Sequence, residues 1–535
     1  MSRFAIVAAL VLVGCGQLVV TPDSGGGEED FDGGLDAGSL DGGPEDAGTP
    51  DAGRPDAGTP DAGRTDAGGS DGGPSMALVS VSAPRELRGV WIATVLNLDW
   101  PTASSLSADA GRAQLTNLVN SMADAGLNAL FFQVRPESDA LYESTLEPWS
   151  RFLTGTQGTN PGWDPLDELL TMAHARGIEV HAWINPYRAL HTAGTSTAQN
   201  HVTRTLSQFS IPYGNGVVMN PGARAVQQHV EAVVDDLLTR YDVDGLHFDD
   251  YFYPYPDSSQ TPFPDSATYA AYQADGGTMN LGDWRRDNVN TLVREVMGLV
   301  TNDHPTVRFG ISPFGIWRSN QPVPGLDAYA TIYCDAPTWM MNGWVDYLAP
   351  QLYWREGSPQ DYSTLATWWA MRNMGGRHLF PGHAVNQLSG ANWPLSEIQT
   401  QVGITRSLAS QGALGAIHFR AAFIANDTKG VHGLFKNTLY AKPALPPVLP
   451  RAGASVAPAV PFLNLVGGSA LWVTSPQPQA TRFFALYKEV SAGQWELQQV
   501  KGGAMVDFIV SRGTWAVSAI ARGGAESQGV KLVVP

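Results

Sequence analysis

The stretch DVDGLHFDDYFYPYP, residues 242–256, decides the fold class that we predict. Val243 to Phe248 form a short, largely apolar run with Gly245 inside it, which is typical of a buried strand. This run breaks directly into Asp249 and Asp250, and an aromatic and proline cluster follows. A buried strand that ends in acids and aromatic residues is typical of the mouth of an α/β barrel, where catalytic groups lie at the carboxyl ends of the strands.

Alternation along this strand assigns its side chains to two faces. His247, Asp249 and Tyr251 point one way, whereas Phe248 and Asp250 point the other. We expect the face that carries His247 and Asp249 to look into the barrel. The alternative for each carboxylate is a cap on the turn that follows the strand.

Strand-like and helix-like runs alternate on both sides of this stretch, over residues 85–440. The clearest helical pattern covers 225–241, with Val226, Val230 and Leu237 at helical spacing. Asp164 and Pro165 open another helix, which Gly177 closes. The strand-like runs are 89–95, 129–135, 179–185, 245–249, 308–313, 347–353, 378–384 and 415–419.

Eight strands that alternate with helices over this length predict a (β/α)8 TIM barrel. A doubly wound sheet is the alternative, but no glycine-rich phosphate loop follows any of the strands. A Pro/Ala-rich linker is predicted at 441–460. Residues 461–535 carry short alternating strands at 469–473, 482–489, 495–500, 504–510, 514–522 and 530–534, which predict a small β-sandwich similar to a fibronectin type III module.

The N-terminal residues carry the signals of export. Residues 1–14 contain Arg3 and then a short apolar run, typical of a signal peptide, and the run stops at Cys15 in a pattern that resembles the bacterial lipoprotein signal. We therefore expect acylation of Cys15; an ordinary secretory signal with a chance cysteine is the alternative. Gly16 and Gln17 follow, with no Asp beside the cysteine, and this favours the outer membrane.

Residues 15–84 form the predicted stalk, in which DAGTP and DAGRP units recur with a period of five. Gly, Pro and Asp cannot bury a core, so we expect an extended, disordered segment. A calcium-binding nonapeptide repeat has a different period and is rejected.

Charge and cysteine content exclude several classes of protein. The net charge is −18, and residues 23–74 hold 14 acidic residues and two arginines, so most of the excess lies in the stalk. The folded part shows no basic stripe, which argues against nucleic-acid binding. Besides Cys15, the only cysteine is Cys334, which has no recognisable base partner and is expected to be a packed thiol.

Eight segments resemble the glycosyl-hydrolase-like family 10, which comprises exported bacterial proteins with a glycosidase barrel. They occur in consecutive order and are RGVWIATVLNLDWP (88–101), FQVRPESDALYES (132–144), EPWSRFLTGTQGTNPGWDPLDELL (147–170), EVHAWINPYRA (179–189), DGLHFDDYFYP (244–254), WRRDNVNTLV (284–293), FGISPFGIWR (309–318) and GWVDYLAPQLYW (343–354). The resemblance implies a TIM-barrel glycoside hydrolase that acts on bacterial glycans, including peptidoglycan strands stripped of stem peptides.

Glycoside cleavage typically needs two carboxyl groups across the scissile bond. Asp249 is our candidate for the nucleophile or base. Asp335 and Asp139 match the family pattern and compete as its partner, while Glu137 does not match it. The alternative for Asp335 is an N-cap of the helix that follows. Glu356 lies just past the sixth strand, a common place for the acid, although the family does not clearly hold an acid there.

Polar and aromatic residues near the strand ends suit sugar binding, because aromatic rings stack on a pyranose and Asn, Arg and His bond its hydroxyls. The alternative for each is a place in the core, and for His247 a structural histidine. The candidates are Trp91, Arg135, Asn185, Tyr187, Arg188, His247, Asp250, Tyr251, Trp317, Gln351, Tyr353, Trp354 and His383.

No cofactor is expected from the sequence. His181, His247, His383 and His418 occur singly without the spacing of a metal site, and no nucleotide or flavin fingerprint is present. We therefore expect a lipid-anchored glycoside hydrolase of the cell envelope whose partners are a polysaccharide and the membrane. The alternative is a glycan-binding lipoprotein whose barrel has lost catalysis, and the oligomeric state is left open.

Overall fold

The computed structural model describes residues 77–257, 259–451, 453 and 455–535, which belong to one compact unit, Gly72–Pro535. The predicted signal peptide, Cys15 and the repeats of the stalk lie outside the described residues. Along the described ranges, no helix has the length and apolar character needed to cross a membrane.

Strands and helices alternate along the first part of this unit, and strands alone make up its last part. In chain order the strands are β1 (Leu78–Val79), β2 (Leu87–Ile92), β3 (Ala129–Arg135), β4 (Glu179–Ile184), β5 (Arg188–Leu190), β6 (Ser210–Tyr213), β7 (Gly216–Met219), β8 (Gly245–Phe248), β9 (Arg308–Ile311), β10 (Tyr347–Leu348), β11 (His378–Leu379), β12 (Gly382–His383), β13 (Gly415–His418), β14 (Phe462–Val466), β15 (Ala470–Thr474), β16 (Thr481–Ser491), β17 (Gln494–Lys501), β18 (Met505–Ile509), β19 (Gly513–Ala521) and β20 (Gly529–Val534).

The helices lie between the strands of the first part. They are α1 (Ala108–Asp124), α2 (Arg151–Thr154), α3 (Pro165–His174), α4 (Val202–Thr205), α5 (Arg224–Arg240), α6 (Ser266–Ala274), α7 (Leu281–Asp303), α8 (Ala328–Thr331), α9 (Ala336–Met341), α10 (Tyr362–Met371), α11 (Leu395–Ser407), α12 (Ala421–Ala425) and α13 (Val431–Leu434). Short 3-10 turns lie at Val95–Asn97, Ser207–Phe209, Val385–Ser389, Ala409–Gln411 and Thr428–Gly430, and a π-helical turn at Phe435–Leu439.

Parallel strands of the first part form one curled sheet. Within the described residues it has nine strands in the order β11-β10-β9-β8-β4-β3-β2-β13-β12. The two outermost strands, β11 and β12, belong to the single segment 378–383, and Leu379 also bridges to Ala413 just before β13. The sheet therefore closes on itself as in a TIM-like barrel, and every predicted barrel strand overlaps an observed one. A doubly wound sheet is ruled out, because such a sheet stays open.

The barrel strands are buried along their whole length, because helices cover the outside and side chains fill the inside. Trp91, Phe131 and Tyr347 pack against each other in the interior. Gly245 lies against the ring of His181, and a Cβ at this position would come within 2.3 Å of Nδ1. A glycine is therefore needed where β8 passes this histidine.

The sequence predicts two of the helices correctly, and the structure shows the reason for each. In α5 the side chains of Val226, Val230 and Leu237 are buried at helical spacing, as predicted. The side chain of Asp164 accepts hydrogen bonds from the backbone N–H groups of Leu166 and Asp167, so it caps α3. Both features depend on neighbours in the chain, which the sequence shows directly.

The C-terminal part consists of two antiparallel sheets, one with the order β1-β20-β19-β16-β17 and the other β14-β15-β18. Leu471, Phe484, Phe508 and Val517 lie in the core between them. All six strands predicted after residue 461 are present, and β14 was not predicted. The likeness to fibronectin type III stays a prediction.

The folded part begins earlier than the stalk boundary at residue 84 would place it. Leu78 and Val79 pair with Val530 and Gly529 of β20, so residues 77–84 belong to the fold. The predicted linker also packs against its surroundings, because Leu445 is buried and its N–H donates to the carbonyl oxygen of Pro84.

Arg482 of β16 joins the C-terminal sheets to the base of the barrel. Its Nε lies 2.7 Å from Oδ1 of Asp244, and Nη1 and Nη2 each donate to Asp242 at 2.8 Å. His174 and the N–H of Val180 contact the other oxygen of Asp244, both at 2.8 Å. Burial alone would raise the pKa of Asp244, but the charges of Arg482 and His174 hold it below its ordinary value.

The substitution Arg482→Met should destabilise the whole unit, because it leaves the buried carboxylate of Asp244 without its guanidinium. We expect the free energy of unfolding to fall by about 3–5 kcal/mol, measured by urea denaturation at pH 7. Arg522→Met is the control: its carboxylate partner Asp242 is half-exposed, and we expect a loss of about 1 kcal/mol or less. Equal losses in the two variants would contradict the role of the buried ion pair.

Candidate active site

Asp249 follows β8 directly and lies at the carboxyl end of the barrel, 5% exposed. Trp183 Nε1 donates to Oδ2 at 3.1 Å, and Asn185 Nδ2 lies 3.1 Å from both oxygens. The backbone N–H of Tyr251 donates to Oδ1 at 3.3 Å. Burial raises the pKa of Asp249, and the charge of Arg188 together with these hydrogen bonds opposes the rise.

Asp250 lies beside it in a different environment, 3% exposed. The hydroxyl of Tyr255 donates to Oδ2, and the side chain of Gln351 also bonds the carboxyl group. Burial raises the pKa of Asp250 to about 7, and the charge of Asp249 adds to the rise. Burial and the charge of Asp249 thus both favour the protonated form of Asp250.

Two neighbouring carboxyl groups with separate pKa values can divide the work of acid and base. A carboxyl that is protonated near neutral pH can act as a general acid, while its ionised neighbour supplies negative charge. The sequence left open that Asp250 only caps the turn after the strand. Its side chain bonds other side chains at the mouth, so it does more than cap this turn. Its partners are Tyr255, from the segment after β8, and Gln351, from the segment after β10.

Aromatic rings line the mouth beside the two carboxyls. The ring centroids of Tyr251 and Tyr255 lie 5.4 Å apart, those of Tyr255 and Phe314 6.2 Å, and those of Phe314 and Trp354 5.7 Å. The guanidinium of Arg188 lies over the ring of Tyr251, 5.3 Å from its centroid. Rings of this kind can stack on the apolar face of a sugar.

His247 lies inside the barrel, which confirms the predicted face. Trp91 Nε1 donates to Nε2 at 3.1 Å, and Nδ1 lies 2.9 Å from the hydroxyl oxygen of Tyr347. Burial and the neighbouring His181 lower the pKa of His247 well below its ordinary value. The imidazole of His247 is thus kept neutral between Trp91 and Tyr347, and its part in substrate binding stays a prediction.

Asp335 is half-buried at the start of α9. Its Oδ1 accepts from Trp317 Nε1 at 3.1 Å, and its Oδ2 from the hydroxyl of Thr338 at 2.7 Å. The neighbouring Cys334 is buried, and burial together with the charges of Asp250 and Asp335 raises the pKa of its thiol well above the ordinary value. Cys334 is therefore a packed thiol, as predicted.

Asp139 is fully buried, and both of its oxygens are engaged near β3. The N–H of Glu137 donates to Oδ1 at 3.0 Å and Gln157 Nε2 to Oδ2 at 3.1 Å. Burial and the charge of Glu137 raise its pKa to about 7. Glu137 itself is paired with Arg151 at 2.8 Å. The carboxyl of Asp139 thus holds its own loop in place, whereas Asp249 and Asp250 lie at the barrel mouth.

Four other sequence candidates are buried residues with partners inside the fold, and their part in sugar binding stays a prediction. Arg135 donates to Glu147 and to the carbonyl oxygens of Asn185 and Pro186, which occupies its guanidinium. His383 bonds the hydroxyl of Tyr362 at 2.7 Å. The four are Trp91, Arg135, Tyr187 and His383, each at most 2% exposed.

The remaining candidates lie at the mouth or on its rim. Half-buried side chains there are Arg188, Tyr251, Trp317, Tyr353 and Trp354. Asn185 and Gln351 are buried against Asp249 and Asp250. Glu356 is exposed and accepts from Ser363 at the start of α10, so it braces that helix.

Sequence reasoning missed two direct partners of the carboxyls. Trp183 stands two residues before Asn185, so strand alternation places both on one face and could have identified it. Tyr255 lies in an irregular segment after β8, where no periodicity indicates its direction. The described residues contain no group of three or more His, Cys, Asp or Glu side chains that could hold a metal ion.

Comparisons with known proteins find a matching family profile and similar sequences. The sequence profile described as glycosyl hydrolase-like 10 matches residues 86–393. Glycosyl hydrolase YngK of Bacillus subtilis (strain 168) is 35% identical over 435 residues, which cover 77% of this chain and 84% of that protein. Glycosyl hydrolase DigH of Escherichia coli (strain K12) is 38% identical over 309 residues, which cover 53% of this chain and 69% of that protein. The range matched by the profile contains the barrel from β2 to β12 and both carboxyls after β8.

Among solved structures, the PgaB (BpsB) glycoside hydrolase domain from Bordetella bronchiseptica aligns with a TM-score of 0.43 at 15% identity. The alignment covers 66% of this chain and 98% of that domain.

The raised pKa of Asp250 should make the stability of the wild type depend on pH. A carboxyl with a pKa of about 7 in the folded state and about 3.9 in the unfolded state favours the folded state less as the pH rises between these values. Asp250→Asn cannot ionise, so its free energy of unfolding should exceed that of the wild type by a margin that is larger at pH 8 than at pH 5. Urea denaturation at the two pH values measures this margin.

Tyr255→Phe serves as the control, because it removes the hydroxyl that bonds Asp250 and leaves the carboxyl free to titrate. We expect its stability to fall with rising pH at least as much as that of the wild type does, because the hydroxyl of Tyr255 lowers the pKa of Asp250. A margin for Asp250→Asn that is the same at both pH values would show that the carboxyl does not hold a raised pKa.

Proposed function

This chain belongs to the glycosyl hydrolase-like 10 family, and from that premise we propose that it is an O-glycosyl hydrolase of the bacterial cell envelope. Its substrate is a bacterial polysaccharide, and the leading candidate is the glycan strand of peptidoglycan after removal of the stem peptides. The observation that carries the proposal is the pair of buried carboxyls at the barrel mouth, Asp249 and Asp250, which bond different partners.

Asp250 is the general acid in this proposal. It gives its proton to the glycosidic oxygen while the bond from that oxygen to the anomeric carbon breaks, so the leaving sugar departs as an alcohol. Asp249 carries the negative charge that stabilises the positive charge developing at the anomeric carbon, and it acts as the nucleophile or as the base for water. Water supplies the new hydroxyl group at the anomeric carbon. The remaining proton of that water restores the protonated form of Asp250.

Asp335 and Asp139, the partners expected from the family pattern, support this assignment less well. Both oxygens of Asp139 are engaged by Glu137 and Gln157 in a fully buried position. Asp335 holds Trp317 and Thr338 at the start of α9. We therefore assign Asp335 to the rim of the site, where it orients an indole that can contact the sugar.

The location in the cell envelope is also a proposal. Its support is the apolar run before Cys15 and the repeat-rich segment after it. A lipid anchor on Cys15, in the outer membrane, would tether the barrel near the polysaccharide, and the segment up to the folded part would set its reach.

Turnover of purified, amidase-treated peptidoglycan sacculi tests the proposal. The wild type should release soluble sugar fragments, measured as new reducing ends, and Asp249→Asn should release none while it still binds the sacculi. Asp236→Asn serves as the matched control, because it removes a carboxylate from the outer helix α5 in the same way. This variant should keep full activity. Binding without turnover in the wild type would instead identify a glycan-binding protein with an inactive barrel.

The general acid can be tested through the leaving group. Asp250→Asn should slow the hydrolysis of the natural glycan by roughly 10²–10⁴-fold, because an alkoxide leaving group needs the proton. A nitrophenyl glycoside leaves without protonation, so the same variant should lose much less activity on it. In the wild type, kcat/KM should fall as the pH rises through about 7, where Asp250 loses its proton. Equal losses on both substrates would assign the acid to another group.

A further inference from the structure

The outer face of the three-stranded sheet β14-β15-β18 exposes an unusual set of side chains. Strand alternation turns Leu471 and Phe508 into the sandwich core and turns their neighbours outward. Among the large hydrophobic residues that are exposed in the described part of the chain, five lie on this one face. They are Phe462, Val466, Trp472, Met505 and Ile509, between 39% and 72% exposed.

The centre of this face is a row of three residues in register. Asn464 pairs with Trp472, and Trp472 pairs with Asp507, so the three side chains stand side by side across β14, β15 and β18. Neighbouring strands lie about 4.8 Å apart, so the row spans roughly 10 Å. An indole is flanked on one side by an amide and on the other by a carboxylate.

The charge of the row is balanced. Lys501 Nζ lies 3.5 Å from Oδ1 of Asp507 and donates to its backbone oxygen at 2.7 Å. The row therefore presents no net charge, which does not suit a nucleic acid or an anionic lipid surface. It suits a neutral polymer that offers an apolar ring face to an indole and hydroxyl groups to the amide and the carboxylate.

We propose that Asn464, Trp472 and Asp507 form a glycan-binding platform that holds a strand of the polysaccharide cleaved in the barrel. The ligand class rests on the proposed function; the platform itself rests on the register and exposure of the row. A pyranose ring stacks on the indole of Trp472, and Asn464 and Asp507 bond hydroxyl groups on its two sides.

The other sheet of the sandwich shows why this face is free. The five-stranded sheet buries one face in the sandwich core and the other against Ala83 and Leu445, and its Arg482 is bound to the barrel base. The three-stranded sheet has only its inner face buried. The platform is thus joined to the barrel through a packed sheet, and a bound strand would be kept at a fixed distance from the mouth.

The test is binding of the full chain to insoluble glycan in a form that cannot cleave it. All variants carry Asp249→Asn, and the probe is amidase-treated peptidoglycan sacculi in a pelleting assay. Trp472→Ala should weaken binding by about tenfold, the loss expected for one stacked ring. Trp472→Tyr keeps a ring and should recover most of the binding. The control Val490→Ala, an exposed apolar residue on β16, should bind as the parent does.

The outcomes test the glycan-binding platform separately from the proposed hydrolase activity. Trp472-dependent pelleting together with no turnover by the wild type would keep the platform and overturn the hydrolase. Turnover together with pelleting that is unchanged in Trp472→Ala, at an unchanged unfolding midpoint, would overturn the platform. A Trp472→Ala variant that pellets normally but changes its sedimentation coefficient would show that the face joins two copies of the chain, and this also overturns the platform.

Discussion

Buried carboxylates fix both ends of strand β8, which is only four residues long. Asp244 precedes the strand at the barrel base, where Arg482, His174 and the N–H of Val180 bind it. Asp249 follows the strand at the mouth, where Trp183 and Asn185 bind it. A buried carboxylate is tolerated only with partners of this kind, so neither end can shift without a large cost. The positions of Asp249 and Asp250 depend on this constraint.

The same strand explains why two adjacent residues differ in chemistry. Asp249 turns towards the end of β4, where Trp183 and the following Asn185 donate to it, and the charge of Arg188 favours its ionised form. Asp250 turns away from β4 and bonds Tyr255 and Gln351. The ionised neighbour then raises the pKa of the second carboxyl further. The two carboxyls of one dipeptide thus lie in different environments, because their side chains leave the strand in opposite directions.

The C-terminal sheets contribute to the barrel as well as to their own core. Arg482 reaches from β16 to the carboxylate that begins the β8 segment, and Leu445 of the connecting segment packs against the same sheet. The barrel base and the sandwich therefore share buried charge and buried apolar surface. A module attached in this way can hold a bound polymer at a fixed distance from the barrel, whereas a freely moving module could not.

Sequence alone determined the elements and the order of the barrel, because strand alternation, helical spacing and capping residues such as Asp164 act between near neighbours in the chain. It also placed Asp249, Asn185 and Tyr251 at the mouth, since the ends of parallel strands meet there. Tertiary structure alone decided that Arg135, Tyr187 and His383 are internal, that His247 bonds Trp91 and Tyr347, and that Asp250 bonds Tyr255 and Gln351. It also decided that Leu78 pairs with Val530, far away in the chain. Burial, hydrogen-bond partners and pKa values arise from contacts between distant residues, and no local pattern of residues encodes them.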